Sequence, residues 1–418
     1  MKTIILTVFL MVSMTTSLYA KINHKAHNKT LSNAKMHFVH LKTNDVKVRS
    51  DIAKHIHMDQ IIEDSIYSVV NDHDLSQLKK NFSKYIVETH VYSEITPGTL
   101  GEEIEFPKGD EKFHTYKEAV QALDDLAKNF PHITERFSLG TSLEGKDIPG
   151  IKLTSIRSKN PNLFTPAILF LGAHHAREHL STEIPLLLAK HLAENYDKNP
   201  EIKKLLDSRE IYIAPMVNPD GAMYDIKGKK YKSWRKNRAN NNNGSMGVDL
   251  NRNYGYGWGT GGSSRSPRSD VYMGPKPFSE PETLAVKSFV DSKPNIRILL
   301  TYHTFSELIL YPWGGKNEGV GGQDQKIFEK MATTMAKWNH YKPEQASDLY
   351  IASGDTCDWA YGVHNIYCFT FELSPKSMWS GGFYPGAKVI DRTFQVNINP
   401  ALYLMKHAGN PSGALTEQ

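Results

Sequence analysis

The 418-residue chain has only two cysteines, Cys357 and Cys368. That excludes a disulfide-dense scaffold, so an ordinary hydrophobic core must hold the fold. Excess charge is also scarce, with 50 Lys and Arg against 45 Asp and Glu and no long basic block. Nucleic acid is therefore not indicated as a partner. Long apolar runs are missing except near the start, where Lys2 precedes Ile4 to Met14 and a stretch of small and polar residues ends at Ala20. That run is shorter than the ~20 residues of a spanning helix. Its charged, apolar and small-residue order predicts a secretory signal over residues 1–20. The expected product is secreted or periplasmic, with no stable membrane anchor. Export would permit a Cys357–Cys368 bridge, but spacing does not decide it.

What is present is globular: 39% hydrophobic and 23% charged residues, in a length that suits two or three domains. Residues 21 to about 36 are basic and histidine-rich and read as a solvated leader. Beyond them Met36–Leu41 alternates like a strand, Asp51–Ser65 has helical periodicity, and Ile66–Val70, Leu75–Phe82 and Tyr85–Val91 read as strand, helix and strand. This predicts a small α+β module, closed by a linker from Thr96 through Asp110. A larger unit begins near Glu111. Helices are expected over Tyr116–Phe130, Glu183–Tyr196, Glu280–Val290, Asp324–Asn339 and Val389–His407. Strands are expected over Ile133–Gly140, Ile148–Thr154, Ala167–Leu171, Ile211–Val217, Ile296–Tyr302 and Tyr367–Leu373. Their alternation predicts an α/β unit with one large, predominantly parallel sheet covered on both faces. The polar stretch 218–274 has little periodicity, and an irregular region of that length inside a domain is usually functional or disordered. A disordered tail is expected from residue 407.

Three strand ends carry chemistry. The apolar run Ala167–Leu171 breaks at Gly172 and is followed by His174, His175, Arg177, Glu178 and His179. Imidazole and carboxylate are good zinc ligands. His175 with Glu178, or His175 with His179, could aim at one point. His303 closes a second apolar strand, and Glu372 lies between Phe371 and Leu373 at the end of a third. A carboxylate so placed needs a partner, and a cation at the rim of the sheet would supply one.

With those residues in place, the chain from about Glu111 to Lys406 resembles the zinc metallocarboxypeptidases of the pancreatic A and B type. The matching pieces occur in family order: Gly-Ala-His-His-Ala-Arg-Glu, Val-Asn-Pro-Asp-Gly, Trp-Arg-Lys, Gly-Val-Asp-Leu-Asn-Arg-Asn, Tyr-His-Thr, Tyr-Ile-Ala-Ser-Gly and Phe-Thr-Phe-Glu-Leu. The resemblance implies a mixed eight-stranded sheet flanked by helices, with one Zn2+ held by His175, Glu178 and His303. It makes Glu372 the general base and Arg235 the residue facing the developing oxyanion. It gives Asn251 and Arg252 the substrate's terminal carboxylate, Arg177 a secondary place along the cleft, and Tyr350 the part of a mobile closing side chain. The implied reaction releases single L-amino acids from the C-termini of peptides and proteins. The small module corresponds in length and pattern to an inhibitory propeptide (residues 21–110), which an activating endoprotease would remove near Lys108 or Lys112.

At the family's specificity position this chain has Cys357, a small hydrophobe, with Asp355 two residues earlier. Together they suggest a pocket for apolar and basic side chains. Phe305 replaces a tyrosine, and the loop 261–269 lacks the family's cysteine. Two other readings are a cell-wall peptide amidohydrolase and a silent binding scaffold. The Asn251-Arg252 pair weighs against the first, and the complete ligand and base set weighs against the second.

Overall fold

The computed structural model describes residues 34–95, 103–155 and 164–417. The expected export signal, nearly all of the basic leader and the first part of the linker lie outside them.

Two sheets are formed. The smaller contains β1 (Ala34–Lys42), β2 (Gln60–Ile62), β3 (Ser65–Asn71) and β4 (Ile86–Ile95), in the antiparallel order β2-β3-β1-β4. Helices Val46–Ile52 and Asp72–Phe82 pack with it around Val39, Leu41, Ile52, Ile66, Leu75 and Leu78. Asp45 and Asn71 start these helices by accepting first-turn N–H bonds, as N-cap residues do. The helix expected over Asp51–Ser65 does not form. Its apolar spacing is helical, but Asp59 and Gln60 take distant partners instead: Asp59 accepts from Val69 N–H, and Gln60 pairs with the backbone at Lys376 and Met378. Tertiary bonds override local periodicity there.

The larger sheet contains β5 (Thr134–Thr141), β6 (Asp147–Leu153), β7 (Ala167–Leu171), β8 (Glu210–Ala214), β9 (Ile296–Thr304), β10 (Leu308–Tyr311), β11 (Lys342–Gln345) and β12 (Tyr367–Leu373). Their order is β11-β10-β12-β9-β7-β8-β6-β5. Four neighbouring pairs are parallel and three antiparallel, so the sheet is mixed rather than predominantly parallel. The central β7 is buried at every position. Ile168 and Phe170 face one core cluster, while Ala167, Leu169 and Leu171 face the other. This two-sided burial explains its unbroken apolar run. The two short strands β10 and β11 are too short to show a period.

Stretch 218–274 is ordered by polar contacts. Asn218 caps a helix over Pro219–Ile226, and Asp225, Lys232, Lys236, Asn237, Asp249 and Asn253 are buried. Asn240–Asn243 forms a largely solvated loop. The tail also differs from expectation: Pro411–Thr416 forms a 3-10 turn with Ala414 buried, and Glu417 pairs with Lys406 and His407.

Residues 103–113, read from sequence mostly as linker, pack on the large unit. Phe106 is buried against Phe113 and His179, with ring centroids 5.3 and 4.9 Å away. Asp110 accepts from the Tyr231 hydroxyl and from Ala387 N–H, both at 2.7 Å. A single buried aromatic outweighs the local turn signal of Pro107 and Gly109.

Candidate active site

The parallel strands β8, β7, β9 and β12 run in one direction, so their carboxyl ends open on one edge of the sheet. Register does the rest. Glu372 of β12 sits directly beside His303 of β9, and Leu171 of β7 pairs with Thr301, two residues before that histidine. Gly172 follows at once and must be glycine: a Cβ there would lie 2.1 Å from the Ser181 carbonyl oxygen. The tight turn after it carries His175 and Glu178 to the strand ends.

There the Glu178 carboxylate lies 2.7 Å from His175 Nδ1 and 3.0 Å from His303 Nδ1, and the two Nδ1 atoms are 3.1 Å apart. Ligand atoms around a tetrahedral zinc are spaced by about 3.3 Å. These three buried residues offer donors that all lie within 4.8 Å of one another, the one such group among the described residues. The donor set fits zinc. His179, the competing partner for His175, instead turns to Asp225 at 2.9 Å. His174 bonds Tyr254 and stacks on His303 without joining the cluster.

Asp249 completes the rim. Its carboxylate meets His175 Nε2 at 3.1 Å and accepts from Arg235 Nε at 3.0 Å. Such a carboxylate fixes a ligand imidazole's orientation. Burial pushes Asp249 up, but Arg235 and His175 hold it well below the usual carboxylate range. Glu178 behaves alike: burial opposes ionisation, and His175 and His303 hold it low. Glu372 is the exception. Burial, helped by Glu178, pushes it up to about 8 although His303, Arg235 and Arg252 pull the other way. A divalent cation in the triad would bring it back down, because a nearby positive charge favours the carboxylate. Asp249 escaped the sequence reading, yet its place between Val248 and Leu250 carries the signal that marked Glu372.

A cavity of about 540 Å³ opens over this rim, lined in part by His175, Arg235, Asn251, Arg252, Tyr350 and Glu372. Arg252 is buried and aimed by its own bonds to the Gly262 and Asn251 carbonyls. Gly262 is required for that approach, because its φ is +59° and a Cβ would sit 1.6 Å from the Ile351 carbonyl oxygen. Asn251 accepts from the backbone and hydroxyl of Thr356. Asp355 also lines the cavity. Its Oδ1 caps the helix Thr356–His364, and its Oδ2 is buried without a partner. Cys357 does not line the cavity: it is bridged to Cys368, and Thr370 takes the wall position. The sequence left that bridge open because contact between residues 11 apart depends on the fold.

The small module roofs the cavity with His57–Ile62. Asp59 accepts from Arg177 Nη2 at 2.8 Å, and His57 Nδ1 lies 3.0 Å from the Tyr350 hydroxyl. Burial and the charges of Arg235, Arg177 and Arg252 hold His57 well below its ordinary value, so it is neutral. Arg177 is thus covered by the module, with its guanidinium on the Phe383 ring, 4.0 Å to the centroid. No sequence motif marked His57, Asp59 or Gln60.

A buried His-Glu-His cluster at the carboxyl edge of a mixed sheet, beside a buried carboxylate, has the donor set of a metal-dependent hydrolase. Its family follows from comparison: the zinc carboxypeptidase family model matches residues 119–399, and the chain belongs to that family. It is a metallocarboxypeptidase. A zinc carboxypeptidase of Saccharothrix mutabilis subsp. capreolus is 39% identical over 302 residues, covering 70% of this chain and 69% of that one. Carboxypeptidase A1 of Sus scrofa is 30% identical over 304 residues, covering 71% and 70%. The fold resembles that of Helicoverpa armigera carboxypeptidase A (TM-score 0.72, 24% identity, 92% of this chain and 98% of that one). It also resembles thrombin activatable fibrinolysis inhibitor (TM-score 0.70, 23% identity, 91% and 100%).

Proposed function

We propose that this chain is an exported enzyme, made as a zymogen, that removes single L-amino acids from free C-termini with one zinc ion. The observation that carries this reading is the shared cavity: buried Arg252, Asn251 and Tyr350 line the same space as the His175–Glu178–His303 cluster and Glu372. Zinc bound there would supply Lewis acidity to the scissile carbonyl and to a water. Arg252, with Asn251, binds the terminal carboxylate through its planar fork. Tyr350 closes over that end. Glu372 takes a proton from the attacking water and returns it to the leaving amine. Arg235, fixed by Asp249 beside the metal cluster, faces the developing oxyanion. Asp355, with an unpartnered oxygen on the cavity wall, accepts C-terminal Lys or Arg, while Thr370 and Leu310 leave room for apolar side chains. Export rests on the signal-like residues 1–20. No helix of the described residues is long and apolar enough to cross a membrane.

The module, Ala34–Ile95, is the inhibitory segment in this reading, because its residues stand between solvent and Arg177, Arg235 and Tyr350. Lys108 and Lys112 are the first lysines after the module, and cleavage near them would release Phe106, together with the module, from its aromatic neighbours on the large unit. The test is mass spectrometry of free-acid, amidated and D-terminated peptides after incubation with trypsin-treated, re-purified protein. Loss of one residue from free-acid L-peptides alone, abolished by a zinc chelator, is expected. Cleavage of amides, or of none of the set, would reject the reading.

A further inference from the structure

Strand β12 directs Cys368, Thr370 and Glu372 to one face, because side chains two apart in a strand point the same way. The three stand in a row from a covalent anchor, through the cavity wall, to the carboxylate beside the metal cluster. Cys368 is bonded to Cys357, whose Sγ also lies 3.5 Å from Thr370 Oγ1. Cys357 in turn holds Asp355: its N–H donates to Asp355 Oδ1 at 2.9 Å, as does that of Asp358. This pair of bonds occupies Oδ1 and leaves Oδ2 buried without a partner in the wall that Asp355 lines. The same helical turn reaches the opposite wall, where Asp358 accepts from Gly314 and Gly315 N–H at 2.8 Å. A Cβ at Gly314 would stand 3.4 Å from Asp355 Oδ2, so little room separates the two walls.

We propose that the Cys357–Cys368 bridge is a positioning element for side-chain selection, fixing the open oxygen of Asp355 against the strand that carries Glu372. The inference rests on the reading of Asp355 as the acceptor of basic C-terminal side chains. The hydrogen bonds of the first turn, from Thr356 to Asn251 and from Gly314 and Gly315 to Asp358, run to loops and not to β12. The bridge ties it at one covalent point, two residues from Asp355. A carboxylate that must meet a cation at hydrogen-bond distance loses more from such a shift than an apolar pocket does. The bridge should therefore govern the ratio between basic and apolar substrates more than the rate on either.

The test compares four full-length proteins carried through the same trypsin treatment: wild type, Asp355→Asn, the pair Cys357→Val with Cys368→Ala, and all three changes together. Each is assayed for kcat/KM on peptides ending in Arg and in Phe. Asp355→Asn is expected to lower the Arg/Phe ratio by about tenfold or more, as when one partner of a buried charge pair is removed. The cysteine pair should lower it in the same direction, with Phe cleavage changed by less than about threefold, and should have no further effect on top of Asp355→Asn. A ratio that falls with Asp355→Asn but not with the cysteine pair would overturn the positioning role and leave the selector standing. An unchanged ratio in Asp355→Asn would overturn both. If the paired variant does not fold, the same ratio is read on folded wild type before and after phosphine reduction. An unchanged ratio after the thiols are shown to be free rejects the inference.

Discussion

The rim of the large sheet and the face of the module that roofs it are both buried, but they are held in different ways. At the rim three charges are answered by two others each: Glu178 by two histidines, Asp249 by Arg235 and His175, and Arg235 by Asp249 and Glu178. These partners come from strand ends and loops far apart in the chain, so the arrangement persists only if the whole sheet does. The roof is attached by separate polar contacts, over the cleft by Asp59 to Arg177, His57 to Tyr350 and Gln60 to the Lys376–Met378 backbone, and beside it by Asn71, His73, Asp74 and the His55 carbonyl to residues 266–270. Buried donors without partners occur in both places, Nε and Nη1 of Arg177 under the roof and Nη2 of Arg235 at the rim. Unmet donors of that kind cost stability. Under the proposed zymogen reading, the rim is the part that stays and the roof the part that is removed.

That contrast can be broken most severely at Glu372. Glu372→Gln should leave the fold and metal content intact and lower kcat/KM by about 10²–10⁴, the usual yield of general base catalysis. Steady-state kinetics with a metal assay checks it, and retention of near-normal rates would remove Glu372 from the chemistry. Arg235→Ala should cost about 10²–10³, mostly in kcat, as for loss of an oxyanion donor. A loss confined to KM would assign Arg235 to binding instead. Arg252→Lys keeps the charge but not the fork, so KM should rise by about tenfold while kcat changes little. A fall in kcat with KM unchanged would show that Arg252 does not read the carboxylate.

At the roof the expected effect is smaller and opposite in sign. Asp59→Asn should raise the activity of untreated full-length protein severalfold by weakening the Arg177 contact, with no change after trypsin treatment. If untreated wild type is already as fast as treated enzyme, the module does not inhibit. The smallest effect concerns pH. In metal-free protein the folded value of Glu372 is raised to about 8. Its protonated form therefore contributes stability that is present below the unfolded value near 4.3 and is lost as pH rises through 8. Metal-free wild type should lose Tm from pH 5 to pH 9 relative to Glu372→Gln, by a few degrees. Parallel Tm curves would show that the carboxylate is ionised throughout.

Much of the large sheet was legible because its strands are either wholly apolar, like Ala167–Leu171, or end in a misplaced charge, like Glu372. The ligand set was narrowed only to His175 with Glu178 or His179 by local spacing, and resemblance then chose between them. Less was legible where polar side chains do the ordering. Stretch 218–274 shows no period because its structure depends on buried pairs such as Arg235–Asp249. The run from Asp51 misled because Asp59 and Gln60 bond across units.

By itself, then, the sequence determined which strands form, which residue types sit at their ends, and the family they resemble. All of these are local patterns of polarity and spacing. Tertiary structure decided that His303 and Glu372 are register partners, that Cys357 is bridged rather than exposed to the cavity, and that Asp59 meets Arg177. Such facts depend on strand order and on contacts between residues far apart in the chain, which no local window of sequence contains.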